Sequence, residues 1–490
     1  MRDWDARHLA AAAAAATLVR APASAAARPG PQGASVNSRT LAPDELFVGL
    51  PGARADGGRY AAQALEAGAW GVLVAPEHAR TAVEATSAAR SLGTGGAVLA
   101  HEDPLAALHA LARAWRRELR TRGAMVVAIT GSTGKTSTKD ILAALLAERL
   151  RVAASPENLN TEIGLPLALL GAPAETELLV LEMAMRGPGQ IAELAAIAEP
   201  DVGVIVNIGP AHLELLGSIE AIAAAKAELI AGLAPGASAV IPADEPLLEP
   251  YLREDVNTIT FGEGGEVSLA ERRADGSVLI LDAGEEIELR PSFSQAHNLR
   301  NLLAAVAAAR ALGYTPRGLV DVRFSAMRGQ REELPGGVVL VADCYNANPM
   351  SMRAAIDDLA ETAPARRVAV LGDMLELGPD APRLHREIGE HAAARGVGLL
   401  VTVGPLAGEM RAGFPGESHA TPDAEAAAEL IGGLLGEGDT VLVKGSRGVG
   451  LELVLERLRA AGESMPGDLG SPGTANADPA SAVGTVAERR

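Results

Sequence analysis

The 490-residue chain has a single cysteine, Cys344, so no internal disulfide can form and a reducing compartment suits it. Clustered basic residues are missing as well. Lys and Arg total 43 against 62 Asp and Glu, the net charge is −19, and no basic run is longer than Arg116-Arg117. Binding along a nucleic-acid backbone needs concentrated positive charge, so that class of partner is disfavoured. The acidity reads as a solvated surface. No apolar run approaches the roughly 20 residues required to span a bilayer. A secretory leader is not expected either. Leu9 to Val19 is rich in alanine and Ala-Ser-Ala at 23–25 could pass for a cleavage site, but Asp3, Asp5 and Arg7 leave no positive n-region. An ordinary helix opening a domain is expected there, in a cytoplasmic, monomeric protein with neither nucleic-acid nor membrane partners.

What the chain does have is Ala128-Ile129-Thr130-Gly131-Ser132-Thr133-Gly134-Lys135-Thr136-Ser137-Thr138, after the apolar Met125-Val126-Val127 and before an amphipathic stretch, Asp140 to Leu150. It reads as strand, phosphate loop, helix. Glycines at 131 and 134 let backbone N–H groups turn inward, and with the helix N-terminus they make an anion cradle. Lys135 then reaches the outer phosphates and the Thr136 hydroxyl is a Mg²⁺ ligand. The residue five before Gly134 is Ile129, so this loop lacks the first glycine of the common motif.

The length allows about three domains. Residues 1–122 read as a small α/β domain with apolar segments at Leu46–Leu50, Trp70–Ala75 and Ala97–Ala100. Residues 123–330 alternate strands (Met125–Thr130, Glu177–Met183, Val202–Ile208, Ala239–Pro242, Ile259–Phe261) with helices, which implies a mostly parallel sheet, with an added hairpin between 266 and 290. From 331 to 462 the alternation restarts as a Rossmann-like domain. The tail 463–490, rich in Gly, Pro, Ala and Ser, is expected to be disordered.

Several polar residues stand where ligands collect in an open α/β sheet. Glu182 closes the run Leu178 to Leu181, and a carboxylate there is costly unless it is ion-paired or holds a metal. His212 follows Val204 to Ala211, and taken alone it reads more readily as a satisfied structural group than as a ligand. Lys226 lies on an otherwise apolar helix, where a snorkelling lysine is the bland alternative. Cys344 reads as a small packing residue.

In order along the chain, Thr130 to Thr136, Asn158-Leu159-Asn160-Thr161-Glu162-Ile163-Gly164, Glu182-Met183-Ala184, Asn207 to Glu214, Ala225-Lys226-Ala227-Glu228 and His297-Asn298-Leu299-Arg300-Asn301 closely resemble the ATPase domain of the Mur ligase family. Asp343 to Pro349, Leu371 to Gly378, Lys444-Gly445-Ser446-Arg447, Asn37-Ser38-Arg39-Thr40 and Asp56-Gly57 extend the resemblance across about residues 35–457. It implies a three-domain architecture with a central P-loop ATPase domain and an ADP-forming ligase. The branch whose third domain it is similar to joins D-alanyl-D-alanine to UDP-N-acetylmuramoyl-tripeptide through an acyl phosphate. By matching position, Gly131 to Ser137 would bind ATP with Asn298 and Asn301 on the adenine side, and Arg328 and Asp343 would complete that site. One Mg²⁺ would sit on Thr136 and Glu182. A second would sit on His212 and on Lys226, the latter carbamylated by CO₂. Ser38 and Arg39 would hold the uridine diphosphate, and Asn160, Thr161, Tyr345, Asn346, Asn348 and Lys444 would contact substrate. Arg331 competes with Arg328 for the linker-arginine role, and Ala342 before Asp343 departs from the family wording. A sister ligase adding the third peptide residue, or a folylpolyglutamate synthase-like enzyme, is the nearest alternative. A non-catalytic nucleotide-binding module would need neither His212 nor Lys226.

Overall fold

The computed structural model describes residues 1, 3–21, 29–53, 55–89, 96–156 and 158–463. Apart from Glu463, the tail expected to be disordered lies outside the described residues.

Three sheets carry the chain. The first has five strands in the order Thr17–Arg20, Ala97–Ala100, Gly71–Val74, Leu46–Val48 and Ala34–Ser35. Only the Thr17–Arg20 edge is antiparallel to its neighbour. The alanine run that reads as one helix is split. The helix Ala6–Ala12 stops, Ala14 and Ala15 turn through φ of +54° and +58°, and Thr17 starts the edge strand. Pairing with Ala97–Ala100 overrides alanine's helix propensity. The helix Pro104–Thr121 begins where Asp103 accepts the N–H groups of Leu105 and Ala106 and Pro104 supplies a pre-set first turn.

The central sheet has ten strands, with Met125–Thr130 between Leu178–Glu182 and Val202–Ile205. All three strands run parallel and are almost wholly buried, as strands covered by helices on both faces must be. The expected hairpin is instead a three-stranded meander, Val267–Arg272, Val278–Asp282 and Glu285–Pro291. The second turn, at Ala283-Gly284 with φ of +49° and +92°, joins two strands through a two-residue hairpin in which only the glycine is the residue type such a turn favours.

The third sheet has six strands, with Gln330–Leu334 an antiparallel edge and Val338–Ala342, Thr440–Lys444, Arg367–Gly372, Leu399–Val403 and Glu417–Thr421 parallel.

Packing divides the molecule unequally. One apolar core runs without a break from Trp4, Leu9, Leu46 and Trp115 of the first domain into Val126, Leu165, Leu181 and Leu229 of the second. Arg116 crosses the same boundary, fully buried, donating to the carbonyls of Ala124, Ala198 and Glu199 and to Asp201 at 2.7 Å. The third domain keeps its own cores on the two faces of its sheet, and it meets the second through the polar and loop contacts described below.

Candidate active site

The strand Met125–Thr130, third from the Val152–Ala154 edge of the ten-stranded sheet, delivers the phosphate loop between Leu178–Glu182 and Val202–Ile205. Ile129, where the longer motif has a glycine, is fully buried within that strand, so the loop is short because the strand runs on through Thr130. Gly134 has φ +76°, and a Cβ there would lie 2.5 Å from Asn301 Oδ1, so both the turn and the close approach require glycine. The helix Lys135–Leu146 then starts, leaving its first N–H groups free for an anion.

Lys135 bends back so that Nζ donates to the Gly131 carbonyl at 2.8 Å. Burial lowers its pKa and the nearby Arg328 adds to that, while Glu182 opposes it. Behind it, Thr136 Oγ1 donates to Glu182 Oε2 at 2.7 Å and Asn160 Nδ2 donates to Glu182 Oε1 at 2.9 Å. The Ser155 hydroxyl accepts the Glu182 N–H at 3.1 Å, and the Ser155 carbonyl accepts from buried Lys139 at 2.8 Å. Glu182 is thus held on three sides, although Ser155 and Lys139 are not distinguishable from ordinary polar residues in the sequence.

Asn207, just beyond the strand Val202–Ile205, braces the loop. Its Oδ1 accepts the N–H groups of Ser132 at 3.0 Å and Thr133 at 2.9 Å, and its Nδ2 donates to the Thr133 carbonyl and hydroxyl. Sequence reasoning missed this role, and the available signal was an amide directly after a strand adjoining the phosphate-loop strand.

His212 adopts φ +60° before the short helix Leu213–Leu216, and its Nδ1 meets Glu376 Oε2 of the third domain. Partial burial lowers its pKa. Glu376 raises it, and the Lys135 and Lys226 ammonium groups lower it, so all four groups share one electrostatic neighbourhood. Lys226, on the helix Ile219–Ala231, is only 2% exposed. Burial, then repulsion from Lys135, pushes its amine well below the usual lysine range. The structure therefore brings Lys135, Thr136, Glu182, Asn160, His212 and Lys226 to one site.

Asn298 and Asn301 are buried on the helix Ala296–Ala311 with their amides 3.3 Å apart, and Asn301 packs against Gly134. Arg328 stacks on the Tyr345 ring at 4.0 Å, with Arg447 on the same ring at 5.7 Å. Arg331 is instead engaged with Asp358 and Thr362, so Arg328 is the one whose charge Lys135 feels. Lys444 is 2% exposed and donates to Asp343 Oδ2 at 2.8 Å and to the Asn346 carbonyl at 3.1 Å. Asn348 caps the helix Pro349–Thr362 and donates to the Ser132 carbonyl at 3.3 Å. Asn346 accepts from Ala347 N–H, and Thr161 precedes the helix Gly164–Gly171, exposed. Ser38 and exposed Arg39 lie on a turn of the first domain that Asn37 closes by accepting the Arg39 N–H. Ser137 sits half-buried in the first turn of the phosphate-loop helix. Cys344 is buried and its thiol is pushed up to about 12, which makes it a poor nucleophile. No helix among the described residues is long and apolar enough to cross a membrane.

A shortened phosphate loop at the end of a buried parallel strand, facing a further Rossmann-like sheet, defines the nucleotide-binding class of protein. Family models sharpen this: the Mur ligase middle domain matches residues 129–309, the Mur ligase glutamate ligase domain 323–447, and the Mur ligase family catalytic domain 32–116. The chain belongs to the Mur ligase family. It is 37% identical over 433 residues to the UDP-N-acetylmuramoyl-tripeptide–D-alanyl-D-alanine ligase of Synechocystis sp., covering 86% of this chain and 91% of that one. It is 34% identical to the Bacillus subtilis enzyme of the same name, covering 87% and 93%. Among solved structures, MurF from Thermotoga maritima in complex with ADP shares 31% identity at a TM-score of 0.75, over 88% of this chain and 98% of that one. MurF from Acinetobacter baumannii superposes at 0.79 with 27% identity, over 93% and 99%.

Proposed function

We propose that the chain joins D-alanyl-D-alanine to UDP-N-acetylmuramoyl-tripeptide, converting ATP to ADP and phosphate, in the cytoplasm. The carrying observation is the cradle in which Lys135, Thr136, Glu182 and Asn160 converge, in a chain similar along most of its length to ligases of that name.

The terminal carboxylate of the tripeptide attacks the γ-phosphorus and ADP leaves, giving an acyl phosphate. The dipeptide amine, its ammonium proton given up to solvent, attacks the acyl carbon, and phosphate departs with the C–O bond pair and takes up the second proton that the nitrogen sheds as the amide forms. Both steps bring anions together, so cations and N–H donors dominate the site. Lys135 leaves Gly131 for the outer phosphates, and Arg328 adds positive charge from the linker. Asn207 keeps the loop open, and Asn301 fixes its last turn. Ser38 and Arg39 supply an exposed turn for the uridine diphosphate end, and Tyr345, with two guanidinium groups stacked on it, faces the site from the third domain.

The paired Thr136 hydroxyl and Glu182 carboxylate, with the Asn160 amide alongside, form the hard oxygen-rich set that Mg²⁺ prefers. Lys226 fits carbamylation because a buried, depressed amine is neutral enough to react with CO₂, and the carbamate would be an anion beside His212 for a second Mg²⁺. Bound there, Mg²⁺ supplies neutralisation of phosphate charge. Purified protein should release ADP and phosphate only when ATP, a tripeptide acceptor and D-alanyl-D-alanine are all present, with acceptors ending in diaminopimelate or lysine each offered. Turnover with a free amino acid in place of the dipeptide would overturn the assignment in favour of a sister ligase.

A further inference from the structure

The third domain touches the segment 207–214 directly at Gly209, His212 and Glu214, and reaches it indirectly through Ser132. Asn348 donates to Ser132, whose hydroxyl exchanges hydrogen bonds with Gly209. Met350 lies so close over Gly209 that a Cβ there would be 1.8 Å from its sulfur. Glu376 meets His212 through its carboxylate and accepts the Glu214 N–H on its carbonyl at 3.1 Å.

The last contact is a built seat. His212 and Glu376 are 164 positions apart in sequence, yet both hold left-handed backbone, with φ of +60° and +63°. Left-handed backbone is unfavourable for residues with a Cβ and persists where the surroundings dictate it. Next to them Gly378, at φ +62°, approaches so closely that a Cβ would stand 3.2 Å from Glu214 Cα. A half-exposed ion pair alone would contribute little. Here a side-chain contact, a backbone hydrogen bond and a close glycine approach fix the same two loops against one another.

We propose that Glu376, carried by the third domain, is the positioning residue for His212 of the second, so that the histidine is aimed into the site only when the two domains are closed. A carboxylate on Nδ1 fixes the tautomer with the proton there and leaves the Nε2 lone pair for whatever the site binds. Closure therefore completes the central site as well as bringing up the third domain's own residues. The proposal rests on His212 serving the ligase reaction, but the alignment of the imidazole is measurable apart from turnover.

Three variants test it. Glu376→Ala should lower kcat by about tenfold or more, the range for losing an orienting partner, and leave KM for ATP within about twofold. Glu376→Gln, which still offers an oxygen to Nδ1–H, should stay within about threefold of wild type. Glu376→Ala combined with His212→Gln should be no slower than His212→Gln alone, because the two act as one unit. Nitrogen-15 NMR of histidine-labelled protein, with His212 assigned by its loss in His212→Gln, should show one tautomer protonated at Nδ1 in wild type and in Glu376→Gln, and a mixture in Glu376→Ala. Unchanged kcat or an unchanged tautomer in Glu376→Ala, a Gln variant as slow as the Ala variant, or additive losses in the double variant would each overturn it. A tautomer that responds as expected in a protein that never ligates would uphold the positioning and remove the proposed function instead.

Discussion

Replacing Asn207 with alanine probes the architecture of the phosphate loop without touching a charge. The amide makes four contacts to Ser132 and Thr133, of 3.0, 2.9, 3.2 and 3.1 Å. Ser132 N–H has a second acceptor in the Asn207 main-chain carbonyl at 3.2 Å, which the alanine variant retains. Among the described residues Thr133 N–H has no such reserve, and its carbonyl loses a donor. A buried donor left without a partner costs about 1–3 kcal/mol, and this site is half-buried, so about 1–2 kcal/mol is the reasonable share. At 1.36 kcal/mol per factor of ten this is roughly a five- to thirtyfold loss in kcat/KM for ATP. Asn207→Asp keeps the acceptor but sets an anion where phosphates must come, so it should fall below the alanine variant. Initial rates of ADP release against ATP concentration, with the Kd of a fluorescent ADP analogue, measure both. An alanine variant within about twofold of wild type in both would refute the bracing role.

Lys135→Ala should abolish product formation in a folded protein, with a loss of about 3 kcal/mol or more in transition-state stabilisation, and near-normal turnover would refute the phosphate-loop assignment. Burial holds the Lys226 amine well below 10.5, so between its folded value and 10.5 the unfolded chain binds the extra proton and stability rises with pH. In CO₂-depleted buffer Lys226→Met should flatten that rise and melt higher than wild type at neutral pH; a lower melting temperature would contradict it. Lys226→Ala should lose most activity and regain part of it with formate or acetate, Lys226→Arg should not, and the absence of any rescue would count against the carbamate. Arg116→Met, which strips three carbonyls and Asp201 of a buried donor, should cost about 3–5 kcal/mol in denaturant unfolding, and a cost below about 1 kcal/mol would refute the buried bridge.

Local patterns were the legible part of this chain. Apolar runs of strand length at Met125–Thr130, Ala97–Ala100 and Leu399–Val403 mark strands because buried parallel strands have no polar face to interrupt them. The phosphate loop declares itself because its glycines and lysine are close neighbours in sequence. Contacts between distant segments left no such mark. Nothing in Gly-Asp-Met-Leu-Glu-Leu-Gly says that Glu376 will face a histidine 164 positions earlier. Nothing in the pair Arg116-Arg117 separates its members, yet Arg116 is fully buried while Arg117 is exposed and bonds to partly buried Glu199, since adjacent residues on a helix face different directions. Lys444 stands out in the sequence only through the Lys444-Gly445-Ser446-Arg447 motif, whereas its contacts with Asp343 and Asn346 depend on how the third sheet closes.

The continuous core joining the first two domains decides what a spectroscopist would see when this protein melts. All three tryptophans, Trp4, Trp70 and Trp115, are buried in the first domain, and Trp4 meets Trp115 edge to face at 5.4 Å inside the common core. Their emission follows the fate of that fused body and is silent about the third domain, which has no tryptophan. A calorimeter has no such blind spot. With separate cores and mainly polar contacts between them, the third domain can melt on its own, so the heat-capacity trace and the fluorescence trace need not share a midpoint. The offset between them would then report how firmly bound ligands couple the third domain to the rest.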